Sequence, residues 1–297
     1  MQRTMYTLWE SCILPLLPAS NPEIAVDYVE SLKSSGVFCA ELSATQVNAF
    51  RSAERILHYH SDFCIGVGKI VSTDQLEQAV SAGAQFLILD NPLILEATTQ
   101  LQIPVFVQQG NGRSILCIDS SSIPSYGSVL PTTTVAAHDF SQLFVDRSIL
   151  ALRCQDFFSH IPQGGASLSQ SLCDAAEAAI TSALGFRLAH IGINCVDSDV
   201  ALQIASAFRS LFGFPIKDGP TSYFAGTAIE AMKQPYLGKL GHIAIFTSSI
   251  DRAVAVLSRR GFTFDESTRK QRDGKTTAIY LADEIGGFAV HLVQAMA

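Results

Sequence analysis

The sequence predicts two domains of different class, an α/β domain over residues 1–185 followed by an α+β domain over residues 186–297. Three observations predict this. Through the first third of the chain, apolar runs alternate with amphipathic stretches on a period of roughly 20 to 25 residues, the pattern of parallel βα units. From Leu188 a pattern of roughly 50 residues occurs twice, HIGIN being matched by HIAIF, LFGF by RRGF and AIEAM by AVHLV. Charge changes at the same place: residues 1–185 hold 8 Lys+Arg against 17 Asp+Glu, and residues 186–297 hold 12 against 10.

Composition bounds what these domains can be. A chain of 297 residues suits two cores, because single domains run to roughly 100–200 residues. Apolar residues make up 48% and charged residues 16%, so ordered structure is expected almost throughout. No apolar run approaches the roughly 18 residues of a membrane helix, and the positive mean hydropathy is assigned to buried strands. Cys12–Pro18 (CILPLLP) follows Glu10 and carries two prolines, which favours a strand over a secretory leader. Seven cysteines without a CxxC pair predict free thiols in a reducing cytoplasm. Neither half has a basic cluster interleaved with aromatics, which argues against nucleic acid and leaves a small molecule as the expected partner.

The first-half elements follow in order. Strands are predicted at CILPLLP, VFCAEL (37–42), FCIGVG (63–68), QFLILD (85–90) and IPVFVQ (103–108). Between them IAVDYVESLKSSG, TQVNAFRSAERILHYH and TDQLEQAVSAGA show apolar residues at helical spacing. An open doubly wound sheet and a (β/α)₈ barrel both fit this order. No Gly-x-Gly-x-x-Gly follows the first strand to mark a dinucleotide site.

Three stretches decide between those folds: ILPLLPASNPEIAVDYVESLKSSGVFCAELSAT, then GVGKIVSTDQLEQAVSAGAQFLI, then IPVFV. In order and register they resemble the first five βα units of 2-keto-3-deoxy-6-phosphogluconate / 4-hydroxy-2-oxoglutarate aldolases. The resemblance implies a TIM-type barrel and a reaction in which a sixth-strand lysine forms an imine with a 2-keto acid while a second-strand glutamate moves protons. Glu41 stands at the glutamate position. The lysine position falls in HDFSQLFVDRS (138–148), where the best register places Gln142, and an amide forms no imine. Thr45 replaces the family's anion-binding arginine. Gly164, Gly165 and Ser167 resemble its phosphate-binding loop, and no eighth strand is evident before the second domain. The barrel is therefore expected to be incomplete and degenerate. Of the two lysines in this half, Lys33 belongs to an outer helix, whereas Lys69 ends the third strand at the rim where barrel active sites sit. Lys69 with Glu41 is thus the candidate catalytic pair of the barrel.

The repeat in the second half, with modules at 188–235 and 239–295, resembles the tandem βαβββ modules of the vicinal-oxygen-chelate (glyoxalase-like) superfamily. That resemblance implies a divalent metal held by the first and fourth strands of each module, which by position are His190 and Glu230, then His242 and His291. Physical chemistry points the same way. The histidines interrupt apolar, β-branched strands whose alternation sends them to one face, and a buried imidazole needs a partner at each nitrogen. Three imidazoles and a carboxylate suit Zn, Fe, Mn, Co or Ni. Glyoxalase-type isomerases commonly carry Glu where His291 stands, so their mechanism does not transfer. Tyr223, Tyr236, Lys233 and Lys239 are candidate rim contacts.

The whole chain resembles bacterial fusions of such a barrel to a glyoxalase-like domain. The leading expectation is a cytoplasmic metal-dependent enzyme acting on a small 2-oxo or 2-hydroxy carboxylate at the C-terminal cup. The alternatives are an active aldolase releasing pyruvate through Lys69 and Glu41, and a non-catalytic metabolite-binding or scaffold protein. A homo-oligomer is expected, since the related aldolases are commonly trimers.

Overall fold

The computed structural model describes residues 1–108, 114–116, 128–132, 149–154, 157–158 and 166–294. It divides into two compact units, Met1–Ala183 and Leu184–Ala297. Among the described residues no helix is long and apolar enough to cross a membrane.

In the first unit a short helix α1 (Gln2–Ser11) precedes β1 (Ile13–Pro15), α2 (Pro22–Ser34), β2 (Cys39–Ser43), α3 (Ala49–Tyr59), β3 (Cys64–Ile70), α4 (Thr73–Ser81) and β4 (Phe86–Leu89). A 3₁₀ turn at Pro92–Thr98 leads to β5 (Val105–Gln108), followed by β6 (Ser114–Leu116), β7 (Ser128–Thr132), β8 (Ile149–Cys154) and α5 (Ala166–Leu184). Local chemistry explains the helix starts. Asn21 accepts the Glu23 N–H ahead of a proline at the first turn of α2, and Ser72 caps α4 through the Gln75 N–H.

The strands lie in the order β1-β8-β7-β6-β5-β4-β3-β2, and a parallel bridge between Leu16 and Glu41 joins the two ends of that list. The eight strands therefore close into a barrel. This differs from the incomplete barrel expected, because Ile149–Cys154 supplies the last strand and pairs in parallel with β1. The departure lies elsewhere: β6 runs antiparallel to both β5 and β7. Residues α1 contributes, Met5 and Leu8, join Leu14, Cys39, Cys64, Phe86 and Phe106 in one buried cluster. Gly66 makes room for the Phe86 ring, since a Cβ there would fall 2.2 Å from it. Six free cysteines occur among the described residues.

The second unit is one mixed sheet built from two βαβββ repeats. The first comprises β9 (Arg187–Asn194), α6 (Ser198–Phe212), β10 (Ile216–Asp218), β11 (Ser222–Ala225) and β12 (Ile229–Met232). The second comprises β13 (Gly241–Thr247), α7 (Ile250–Arg259), β14 (Phe264–Arg272), β15 (Lys275–Leu281) and β16 (Phe288–Gln294). The order β10-β11-β12-β9-β13-β16-β15-β14 is symmetric about the antiparallel β9/β13 pair, and each repeat sets its first strand parallel to its last. Asp197 caps α6 through the Val200 N–H, and Gly213 ends it at φ 73°, a conformation costly for any residue with a Cβ. Ala201 and Ile204 of α6 pack on Ile193 and Ala231, covering one face of the first repeat. The alternate residues of those strands, Gly192 and Glu230, belong to the other face.

Candidate metal centre

Four side chains from four strands meet on the helix-free face of the first repeat and its continuation into the second. His190 on β9 and His242 on β13 approach with their Nε2 atoms 3.2 Å apart, and each Nε2 lies 3.1 Å from Glu230 Oε2 on β12. His291 on β16 completes the group, one nitrogen of each of the three imidazoles lying within 4.8 Å of the others. Register explains the convergence. Ala244 pairs with His190 on one side and His291 on the other, while Gly192 pairs with both Glu230 and His242. Residues paired across neighbouring strands share a face, so all four side chains emerge together. Gly192 is the enabling position, because a Cβ there would sit 2.0 Å from His242 Cε1.

Hydrogen bonding at the cluster is incomplete among the described residues. Both nitrogens of His291 and Nδ1 of His242 are buried with no hydrogen-bond partner among the described residues. Burial, followed by the neighbouring His242 and His190, pushes the His291 imidazole down to about 3, so it is neutral with an available lone pair. Burial pushes the Glu230 carboxyl up, but hydrogen bonds with His190, His242 and Ser222 outweigh it and hold the group well below the usual carboxylate range. Ser222 Oγ donates to Glu230 Oε1 at 2.6 Å, and the Tyr280 ring stacks on His291 with centroids 4.4 Å apart and planes 7° from parallel. Donors about 2.1 Å from a tetrahedral ion stand roughly 3.4 Å from one another, close to the 3.1–3.2 Å among His190, His242 and Glu230; His291 falls within 4.8 Å of the other two histidines. Anionic oxygen, neutral imidazole and orphaned buried nitrogens together fit a divalent transition metal.

In the barrel, Glu41 and Arg153 are both fully buried and form a two-pronged ion pair across the interior, Arg153 Nε and Nη2 donating to the two carboxylate oxygens. Arg153 Nη1 also donates to Gln108 Oε1 at 2.8 Å, tying β2, β5 and β8 together. Gly68 leaves space for the pair, since a Cβ there would meet Glu41 Oε1 at 1.9 Å. Lys69 follows directly, half-buried and at φ 55°, a left-handed conformation rare for a residue with a side chain. Among the described residues no hydrogen bond links Lys69 to Glu41. Lys33 lies on α2 as expected and pairs with Asp62 at 2.7 Å.

Residues 5–108 match the sequence profile of the family described as KDPG and KHG aldolase. The match makes residues 5–108 an aldolase-family segment. A 2-dehydro-3-deoxy-phosphogluconate aldolase of Treponema pallidum (strain Nichols) is 27% identical over 88 residues, covering 28% of this chain. The chain spans 42% of the length of that relative. A KDPG aldolase of Legionella pneumophila, crystallised with pyruvate captured as a covalent carbinolamine, shares 24% identity over 35% of this chain and 52% of its own, with a TM-score of 0.33. A Streptomyces coelicolor methylmalonyl-CoA epimerase in complex with 2-nitronate-propionyl-CoA shares 19% identity over 37% of this chain and 95% of its own, with a TM-score of 0.29.

Gln142, Gly164 and Gly165 lie beyond the matched segment and outside the described residues. Ser167 falls in the first turn of α5. Arg153 is the residue that sequence reasoning missed: the partner of Glu41 lies 112 positions away, beyond the reach of any local pattern. Of the rim candidates, Lys233 is held by Asp218 at 2.7 Å and lies 4.3 Å over the Tyr223 ring. Tyr236 approaches Tyr280 at 6.2 Å between centroids, and among the described residues Lys239 makes no ion pair or side-chain hydrogen bond.

Proposed function

We propose that the C-terminal sheet is a metal-dependent catalytic site for a small 2-oxo or 2-hydroxy carboxylate. The observation that carries this is the meeting of His190, Glu230 and His242 beside a His291 whose two nitrogens are buried and, among the described residues, unpartnered. The duplicated βαβββ order, with one donor from the first and one from the last strand of each repeat, supports assignment to the vicinal-oxygen-chelate superfamily. His190, Glu230, His242 and His291 would hold the ion, Zn, Mn, Fe, Co and Ni being the candidates by donor type. When bound, a divalent metal supplies Lewis acidity toward the adjacent oxygens of such an acid. Ser222 fixes the Glu230 carboxylate, and Tyr280 fixes the plane of His291 and walls one side of the site. A cytoplasmic setting and a homo-oligomeric assembly belong to the same proposal. Metal content by mass spectrometry, before and after reconstitution with each candidate ion, tests it. About one equivalent in the native chain and its loss in His242→Ala are expected; a chain that stays metal-free after reconstitution ends the proposal.

A second reading is favoured by the family match, which speaks for an aldolase more than for the metal reading. Here Lys69, strained and next to the glycine that packs on Glu41, would attack the carbonyl carbon of a 2-keto acid, expelling water to leave an imine. Glu41 would have to exchange its ion pair with Arg153 for the substrate hydroxyl. Borohydride reduction in the presence of pyruvate should then fix a covalent adduct on Lys69. An unchanged intact mass dismisses the aldolase.

A further inference from the structure

The row of residues next to the histidines on the same sheet face carries a second chemistry. Reading across the strands, one row is His190, Ala244, His291 and Tyr280. The next row on that face is Arg187, Phe246, Val293, Ala278 and Lys270, each paired with its neighbour in the sheet. Its middle three residues are apolar and half-buried, and its two ends are exposed cations. Arg187 lies over the Phe246 ring with Cζ 5.0 Å from the centroid, which holds the guanidinium above the apolar floor rather than letting it swing into water. Neither Arg187 nor Lys270 has a carboxylate partner among the described residues, whereas Arg55, Arg269, Lys33 and Lys233 all do.

From this juxtaposition we infer the class of substrate: an acid that is anionic at both ends. Its 2-oxo or 2-hydroxy carboxylate head lies at His190, Glu230, His242 and His291, and a second anionic group, carboxylate or phosphate, lies at Arg187 or at Lys270, which bound the apolar row four strands apart. The inference rests on the metal site proposed above. Two residues along a strand cover about 7 Å, comparable with the length of a short dicarboxylate. The apolar floor accommodates the methylene segment between the charges. A monocarboxylate of the same length would fill the same floor but leave both cations unanswered, and so would bind more weakly.

The test uses the full-length chain loaded with Mn²⁺ or Zn²⁺, its metal content measured first, and calorimetric titration with four probes. Oxalate reports the metal head alone, 2-oxopentanoate adds an uncharged tail, 2-oxoglutarate a second carboxylate and 3-phosphoglycerate a phosphate. Either or both doubly anionic acids should bind roughly tenfold or more tightly than 2-oxopentanoate, the gain typical of hydrogen bonds to a charged group. Which of the two is tighter identifies the second group. The double variant Arg187→Met/Lys270→Met should abolish that preference while metal content and oxalate affinity stay unchanged. Equal binding of 2-oxopentanoate, or a preference that survives the double variant, overturns the inference while leaving the metal site standing. Failure of the native chain to take metal or oxalate removes the site itself and the inference with it.

Discussion

His291 concentrates the physics of the C-terminal site. Its imidazole is buried, neutral and, among the described residues, without a partner at either nitrogen, and its pKa is pushed down to about 3. In the unfolded chain the same group takes up a proton near pH 6.5, its ordinary value. Below that pH the unfolded state therefore binds more protons, and stability of the metal-free protein falls as the pH drops from 6.5 toward 3. Glu230 acts in the same direction, because its lowered carboxyl pKa gives stability that is present above the ordinary carboxylate range and lost on acidification. Thermal midpoints of the metal-free chain between pH 8 and pH 4 should decline through this window, and the decline should be shallower in His291→Phe. Gly192 offers a sharper test. Its missing Cβ is the space that His242 occupies, so Gly192→Ala displaces that ring and should cost about 1–3 kcal/mol along with most of the metal affinity. Urea unfolding and metal titration of one variant measure both. The histidines were legible in the sequence because they break apolar alternation, whereas Gly192 reads as an ordinary strand residue until its cross-strand partner is known.

At the scale of strands and helices, the barrel shows where local pattern stops being informative. Strands β1 to β4 read as continuous apolar runs because both their faces are buried, and helices α2 to α4 follow the apolar periodicity because each buries one face. The antiparallel β6, flanked by short strands, has no such period, and β8 earns its place only by pairing with β1 across more than half the domain. Helix α1 escaped notice for a related reason: only Met5, Leu8 and Ser11 of its residues are buried. The Glu41–Arg153–Gln108 group follows from that long-range closure. Removing one member leaves a buried charge, so Arg153→Met should destabilise by about 3–5 kcal/mol, whereas Glu41→Gln/Arg153→Met should recover much of the loss. Chemical denaturation of the native chain, both single variants and the double variant yields the coupling.

Over the whole molecule, the two units have separate strand systems, and every proposed metal donor, together with Ser222, Tyr280 and Gly192, lies within Arg187–Gln294. The charge change near residue 185 and the internal repeat made this division legible in the sequence, because each repeat carries its own alternating strands and terminated helix. Where the second unit begins was not legible, since it depends on hydrogen bonds rather than on pattern. The Leu184 carbonyl accepts from Thr247 Oγ1 and from the Ser248 N–H, both at 2.9 Å, and so belongs to the sheet unit although it ends α5. A chain beginning at Ala183 keeps these bonds; one beginning at Arg187 leaves the Thr247 hydroxyl, fully buried, without its acceptor. The shorter chain should be less stable by about 1–3 kcal/mol. Both should bind the same ion, because neither cut removes a donor. A ligand that binds only the folded state stabilises by about 2.7 kcal/mol at a hundred times its dissociation constant, so saturating metal should raise the melting temperatures of both fragments and nearly offset the truncation. Calorimetric melting of the two fragments with and without metal measures this, and a fragment starting at Ala183 that neither folds nor takes metal would show that the sheet depends on the barrel for its structure.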